Sequence, residues 1–93
     1  MIEDIKKTTK LTTKFGNPAK NQVMLETEKG IYFKSYNSII AFENFKENKT
    51  YLDKHFYCYS RTTNQYRNQF LNCNSKDVEK RIDNGTYELV NLN

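Results

Sequence analysis

The stretch VMLETEKGIYFKS, Val23 to Ser35, decides the fold. Val23 and Leu25 share one face of an extended chain, and Ile31 and Phe33 share one face of the next, at a period of two. Between them Glu28-Lys29-Gly30 has the composition of a three-residue hairpin loop, with the glycine at the left-handed position. Two paired strands are the reading. Working outward, Ser38 to Phe45 makes a third strand, and Lys46-Glu47-Asn48-Lys49 turns it into Thr50-Tyr51-Leu52-Asp53. The result is an antiparallel meander of about four strands.

On the N-terminal side, Phe15-Gly16-Asn17-Pro18 reads as a turn, since Gly and Asn tolerate positive φ and Pro stops a regular element. Residues 1–10 are polar apart from Ile2 and Ile5 and are expected to form a flexible arm, leaving 11–93 as a single domain.

After Asp53 the character changes. In YCYSRTTNQYRNQFLNC, Tyr57 to Cys73, Thr62 with Gln65 has capping-box spacing, and Ser60 is an alternative cap. Tyr66, Phe70 and Cys73 form one apolar stripe of a helix, which places Arg67, Asn64, Asn68 and Asn72 outside it or at its flanks. Ser75 caps a second helix carrying Val78 and Ile82, and Asn84-Gly85 ends it. Tyr87, Leu89 and Leu92 fit a last strand returning to a sheet edge. The expected class is α+β, an antiparallel sheet of about four to five strands packed with one or two helices.

At 93 residues, this is one small domain, with little room for an enclosed catalytic cavity beside its core. Hydrophobic content is only 37%, yet 7 Tyr and 6 Phe supply large buried areas and argue against disorder. No apolar run approaches the ~20 residues of a membrane span, and MIEDIKKTTK lacks a signal-peptide core. A cytoplasmic protein without a membrane partner is expected. Cys58 and Cys73 have only His55 as another soft ligand, so neither a metal nor any other cofactor is expected. The Asn48 and Asn84 sequons are then chance matches.

The charge is +4, unevenly distributed. Residues 5–25 hold Lys6, Lys7, Lys10, Lys14 and Lys20, residues 54–76 hold Lys54, Arg61, Arg67 and Lys76, and all 11 acids lie elsewhere. Meeting on one side, these stretches would form a basic patch.

Candidate binding residues follow from this. A helix start offers free N–H groups, and Arg61, Thr62 and Thr63 add donors there, with Arg67 placed to fork around a phosphate or carboxylate. The same residues also serve simply as caps, and both readings stand. Tyr57 and Tyr59 beside Lys54, and Tyr36 beside Lys34, combine aromatic and cationic groups suited to unpaired bases or to a protein interface. Alternatively these tyrosines fill the rim of a packed sheet. Strand alternation puts Tyr32 and Tyr36 with Lys34 opposite Ile31 and Phe33. His55 and Cys58 point apart if the chain is extended there, and Asp53 with Glu43 is an ordinary cross-hairpin acid pair. No P-loop, dinucleotide or zinc motif occurs, so an enzyme is not expected.

Thr12-Thr13-Lys14-Phe15-Gly16-Asn17, Phe33 to Ala41, Thr50-Tyr51-Leu52-Asp53, Tyr59 to Leu71 and Arg81 to Tyr87 together resemble a family of small uncharacterised proteins from bacteriophages and prophages of low-GC, Gram-positive bacteria. The resemblance spans about residues 11–92. The family pattern often carries Trp near Phe56, which this chain lacks. The resemblance brings no established activity. It implies a context in which small cofactor-free proteins act by binding and blocking. The function expected on that footing is inhibition of a host defence nuclease, such as a CRISPR effector, by direct binding through residues 54–76. A small nucleic-acid-binding module and a self-associating structural phage protein are the alternatives.

Overall fold

The computed structural model describes residues 4–93. Its elements run β1 (Lys7–Thr12), β2 (Pro18–Glu26), β3 (Gly30–Ser35), β4 (Ser38–Asn44), β5 (Lys49–Asp53), α1 (Arg61–Leu71), α2 (Ser75–Asp83) and β6 (Tyr87–Val90). The protein is α+β, with one sheet of six strands in the order β1-β2-β3-β4-β5-β6 and two helices. The first five strands pair antiparallel, as short local turns allow. The sheet is nonetheless mixed rather than wholly antiparallel, because β6 lies parallel to β5. Parallel neighbours need a long crossover, and the two helices supply it.

The sixth strand beyond the expected number is β1. Lys7 to Lys10, assigned to the arm, pair with Val23 to Glu26. Only Leu11 of this edge strand is buried, so no apolar alternation announces it. Residues 1–3, the start of that expected arm, lie outside the described residues.

Gly30 does not occupy a left-handed loop position. It opens β3, and a Cβ on it would stand 1.9 Å from the Glu43 carbonyl oxygen across the ladder. The loop is instead Thr27-Glu28-Lys29, closed by Thr27, whose N–H donates to the Gly30 carbonyl at 2.8 Å.

Register shifts at Phe33 and Lys34, which pair with Ala41 and Ile39. This bulge lets Ile40 and Ala41 both enter the core, where simple alternation would admit one of them.

Both helices cover the face that carries Phe33 and Ser35. Phe33 stacks on Phe70 at 5.7 Å between ring centroids, and Ser35 shares a hydrogen bond with Thr63. The core joins Leu11, Phe33, Ile40, Ala41 and Leu52 from the sheet to Leu71 and Val78 from the helices. Ser60 is the N-cap of α1 and accepts from the Thr63 N–H, so the Thr62–Gln65 capping box is not used. In α2 the cap is Asn74 rather than Ser75, in a capping box with Asp77.

The buried residues of α1 are Thr63, Arg67 and Leu71, with Tyr66 and Phe70 partly covered beside them. The inner stripe therefore runs through an arginine that the apolar pattern placed outside it or at its flanks. Among the described residues, no helix is long and apolar enough to cross a membrane.

Candidate partner-binding site

The turn between β3 and β4 has two residues, Tyr36 and Asn37, closed by the Ser35–Ser38 pair. Tyr36 has φ +54, a left-handed conformation uncommon for an aromatic residue. Its N–H donates to the Asn21 carbonyl at 2.8 Å, which holds the turn against β2. The ring is 54% exposed.

Across from it, the irregular segment 54–60 delivers Tyr59, whose ring is 67% exposed and meets the edge of Phe56 at 5.5 Å. Between the tyrosines lies a cleft of about 430 Å³ lined by Ser35, Tyr36, Asn37, Ser38, Ile40, Tyr59 and Thr63. Its floor is the Ser35 Oγ–Thr63 Oγ1 hydrogen bond of 3.0 Å. One of the two hydroxyls donates to the other.

The residues expected to bind are divided by the structure. Tyr36, Tyr59 and Thr63 line one cleft. Arg61 and Thr62, exposed in the first turn of α1, flank it in sequence, and exposed Lys54 begins the segment that ends at Tyr59. Lys34 does not join them. It pairs with Val23 on the face opposite Phe33 and Ser35, together with Tyr32. Tyr36 leaves that face because the turn redirects it toward Thr63.

Arg67 is withdrawn altogether, at 1% exposure. Its Nη1 donates to the Tyr57 carbonyl at 2.5 Å, its Nε and Nη2 to Asn68 Oδ1, and Nη2 also to Ser75 Oγ. A guanidinium so engaged has no free fork for phosphate. It ties the 54–60 segment, α1 and the start of α2 together. Tyr57 is likewise half-buried against the core rather than displayed. Burial, and then the carboxylate of Glu79, push its hydroxyl above the ordinary value.

Asp53 and Glu43 do not pair. Asp53 is fully buried and receives N–H groups from His55 (3.0 Å), Phe56 (2.9 Å) and Leu92 (2.7 Å). Burial by itself raises its pKa, but these bonds and the Asn93 side chain together outweigh it and hold the carboxyl below its usual range. Asp53 thereby fixes where the 54–60 segment departs from β5. Asn93 reinforces the same corner, its amide bonding both the N–H and the carbonyl of Ile39. His55 and Cys58 lie in turns, not in a strand, and both are exposed.

Ser35, Asn37, Ser38 and Ile40 complete the cleft without having been singled out in the sequence. Only the short polar run between two strands marks them, and that signals a turn as readily as a site. Neither the curated proteins nor the solved structures contain a match to this chain. The model of a family of unknown function, DUF8033, matches residues 4–85, and the chain belongs to that family.

Proposed function

We propose that this chain is a non-enzymatic binding protein whose Tyr36–Tyr59 cleft seats a segment of a protein partner. The make-up of the cleft carries this reading: Tyr, Ser, Asn and Thr with one isoleucine, no charged side chain, and tyrosines more than half exposed at the rim. Tyrosine brings large amphipathic contact area at low entropic cost, and Ser and Asn bring adaptable hydrogen bonds, the combination found in antibody binding loops. Arg61 and Lys54, exposed and close in sequence to Thr63 and Tyr59, would steer an acidic partner surface toward the cleft.

The specific form of the proposal is a phage accessory protein that blocks a bacterial defence nuclease, such as a CRISPR effector, in the host cytoplasm. Its support is the resemblance to small phage proteins together with an uncharged cleft, which suits covering a protein element better than imitating DNA. Binding of single-stranded nucleic acid is the second reading, favoured by Tyr59 lying near Arg61 in sequence. It is the weaker one, because Arg67 and Lys34 are absent from the site and few cations remain to track a backbone.

The test mixes the purified chain with candidate effectors and measures complex formation and cleavage. Complexes that lose about 1–3 kcal/mol on Tyr36→Ala or Tyr59→Ala, with folding intact, support the cleft. Absence of both binding and inhibition removes the nuclease form. Binding whose affinity falls steeply with salt, on nucleic acid alone, installs the second reading.

A further inference from the structure

The β1–β2 hairpin runs past its neighbour in the sheet. The β2–β3 pairing ends at Gln22 and Ser35, so Pro18 to Asn21 continue beyond it, about 14 Å of extended chain. This projecting end is firmly built. Leu11 and Ala19 are buried in it, and the Gln69 side chain of α1 bonds both the N–H and the carbonyl of Thr12, at 3.1 and 2.9 Å. In the turn, the Thr13 N–H donates to the Asn17 carbonyl and the Gly16 N–H donates to the Thr13 carbonyl. The Thr13 hydroxyl accepts from the N–H groups of Phe15 and Asn17.

What this turn displays is Phe15. It is 78% exposed, more than any other large hydrophobic residue among those described, and the Lys14 ammonium lies 5.2 Å from its ring centroid. A lone exposed ring is ordinary on a protein surface. The surroundings set this one apart. Lys10, Lys14 and Lys20, all exposed, stand within five residues of Phe15, and residues 5–25 hold no acid. Among the described residues, no carboxylate is within ion-pair distance of these three lysines. The helix packed against the hairpin, α1, has no acidic residue either. An accessible aromatic ring is thereby joined to positive charge that nothing nearby offsets.

We propose that the β1–β2 turn is a contact for single-stranded nucleic acid, in which an unpaired base stacks on Phe15 while Lys10, Lys14 and Lys20 neutralise the flanking phosphates. Stacking on an aromatic ring accepts every base, so the contact is indifferent to sequence. A lipid surface fits less well. The turn offers one apolar side chain among Thr13, Gly16 and Asn17, and even a whole myristoyl chain by itself binds membranes only marginally. A duplex also fits less well, because its bases are stacked on one another and leave no face for the ring. The turn supplies none of the residues that line the Tyr36–Tyr59 cleft, and the inference holds whatever that cleft binds.

The chain has no tryptophan, so Phe15→Trp places a single reporter at the tip. Oligo-dT and oligo-U of about 12 nucleotides, titrated into the full chain at low salt, test DNA and RNA strands in turn. Either should quench the indole emission. Inorganic polyphosphate should not, since it brings charge but no base. With the parent chain and a dye-labelled strand, anisotropy should give a slope of log K against log salt of about −2, as three phosphate contacts require. Phe15→Ala should weaken binding about tenfold, and Lys14→Ala with Lys20→Ala should cut the slope by more than half. All three positions are exposed, so circular dichroism should match the parent, and Tyr59→Ala should leave this binding unchanged. Absence of binding at low salt overturns the proposal. So does a response to vesicles of anionic phospholipid but to neither strand, or equal quenching by polyphosphate. Binding that survives Phe15→Ala and is lost on Tyr59→Ala also overturns it, and assigns the strand to the cleft.

Discussion

The guanidinium of Arg67 donates to the backbone carbonyl of Tyr57, and this bond fastens the segment that carries Tyr59 to the inner side of α1. Its partners are neutral: a carbonyl, the side-chain oxygens of Asn64 and Asn68, and the Ser75 hydroxyl. A buried charge held this way is kept by the completeness of its hydrogen bonds. The cleft geometry rests on it, although Arg67 does not line the cleft.

Arg67→Ala should destabilise the fold by about 2–4 kcal/mol, since it strands several buried acceptors at once. Arg67→Lys should recover little, because an ammonium lacks the planar fork that spans Tyr57, Asn68 and Ser75. Arg61→Ala, at an exposed position, should leave stability unchanged within about 0.5 kcal/mol. Thermal melts of the three variants check the ordering. Equal melting of all three would place Arg67 outside the framework.

Gly30→Ala should destabilise by about 2–4 kcal/mol, because its Cβ would collide with main-chain atoms of Glu43 that cannot rotate away. Gly16→Ala provides the contrast. Nothing lies within 4 Å of a Cβ there, and only the left-handed φ of +83 opposes it, a strain of about 1 kcal/mol. Urea denaturation midpoints of the two variants should separate accordingly.

Asp53 makes stability fall in acid. Its folded pKa lies below the ordinary value of 3.8, so its contribution is complete above that value and is lost as pH falls through the folded one. Asp53→Asn should lower stability at pH 7 and flatten the dependence below pH of about 4. Denaturation at a series of pH values compares the slopes. An unchanged acid limb in the variant would assign that limb to other carboxylates.

Tyr36→Gly separates strain from recognition. Glycine accepts φ near +54 freely, so the variant should be as stable as the parent or up to about 1 kcal/mol more so. It should bind a cleft partner less well, having lost one rim. A variant that is less stable would show that the ring contributes to packing.

What could be read along the chain was whatever obeyed a local period or a local capping rule. The period of two in the β2–β3 hairpin was legible, but it marked the core side only in β3. Val23 and Leu25 pair with Lys34 and Tyr32 on the opposite face, and Met24 beside Phe33 is the β2 residue packed on the core. The positions of α1 and α2 follow from polar caps before apolar spacing. The edge strand β1 escaped notice because Lys7, Thr8, Thr9 and Lys10 are all exposed, which leaves no apolar–polar contrast to detect. The bulge at Ile40 broke alternation where two successive residues enter the core.

Charge and polarity were legible in amount but not in placement. The sequence by itself determined an aromatic-rich α+β domain, its hairpins and the approximate positions of its helices, since those depend on residues within a few positions of one another. Only the tertiary structure decided that β6 returns parallel, that Arg67 is a brace instead of a ligand-binding group, and that Tyr36 meets Tyr59 across a cleft. Each of these depends on contacts between residues distant in sequence, and burial sets the role of a polar side chain only once those neighbours are in place.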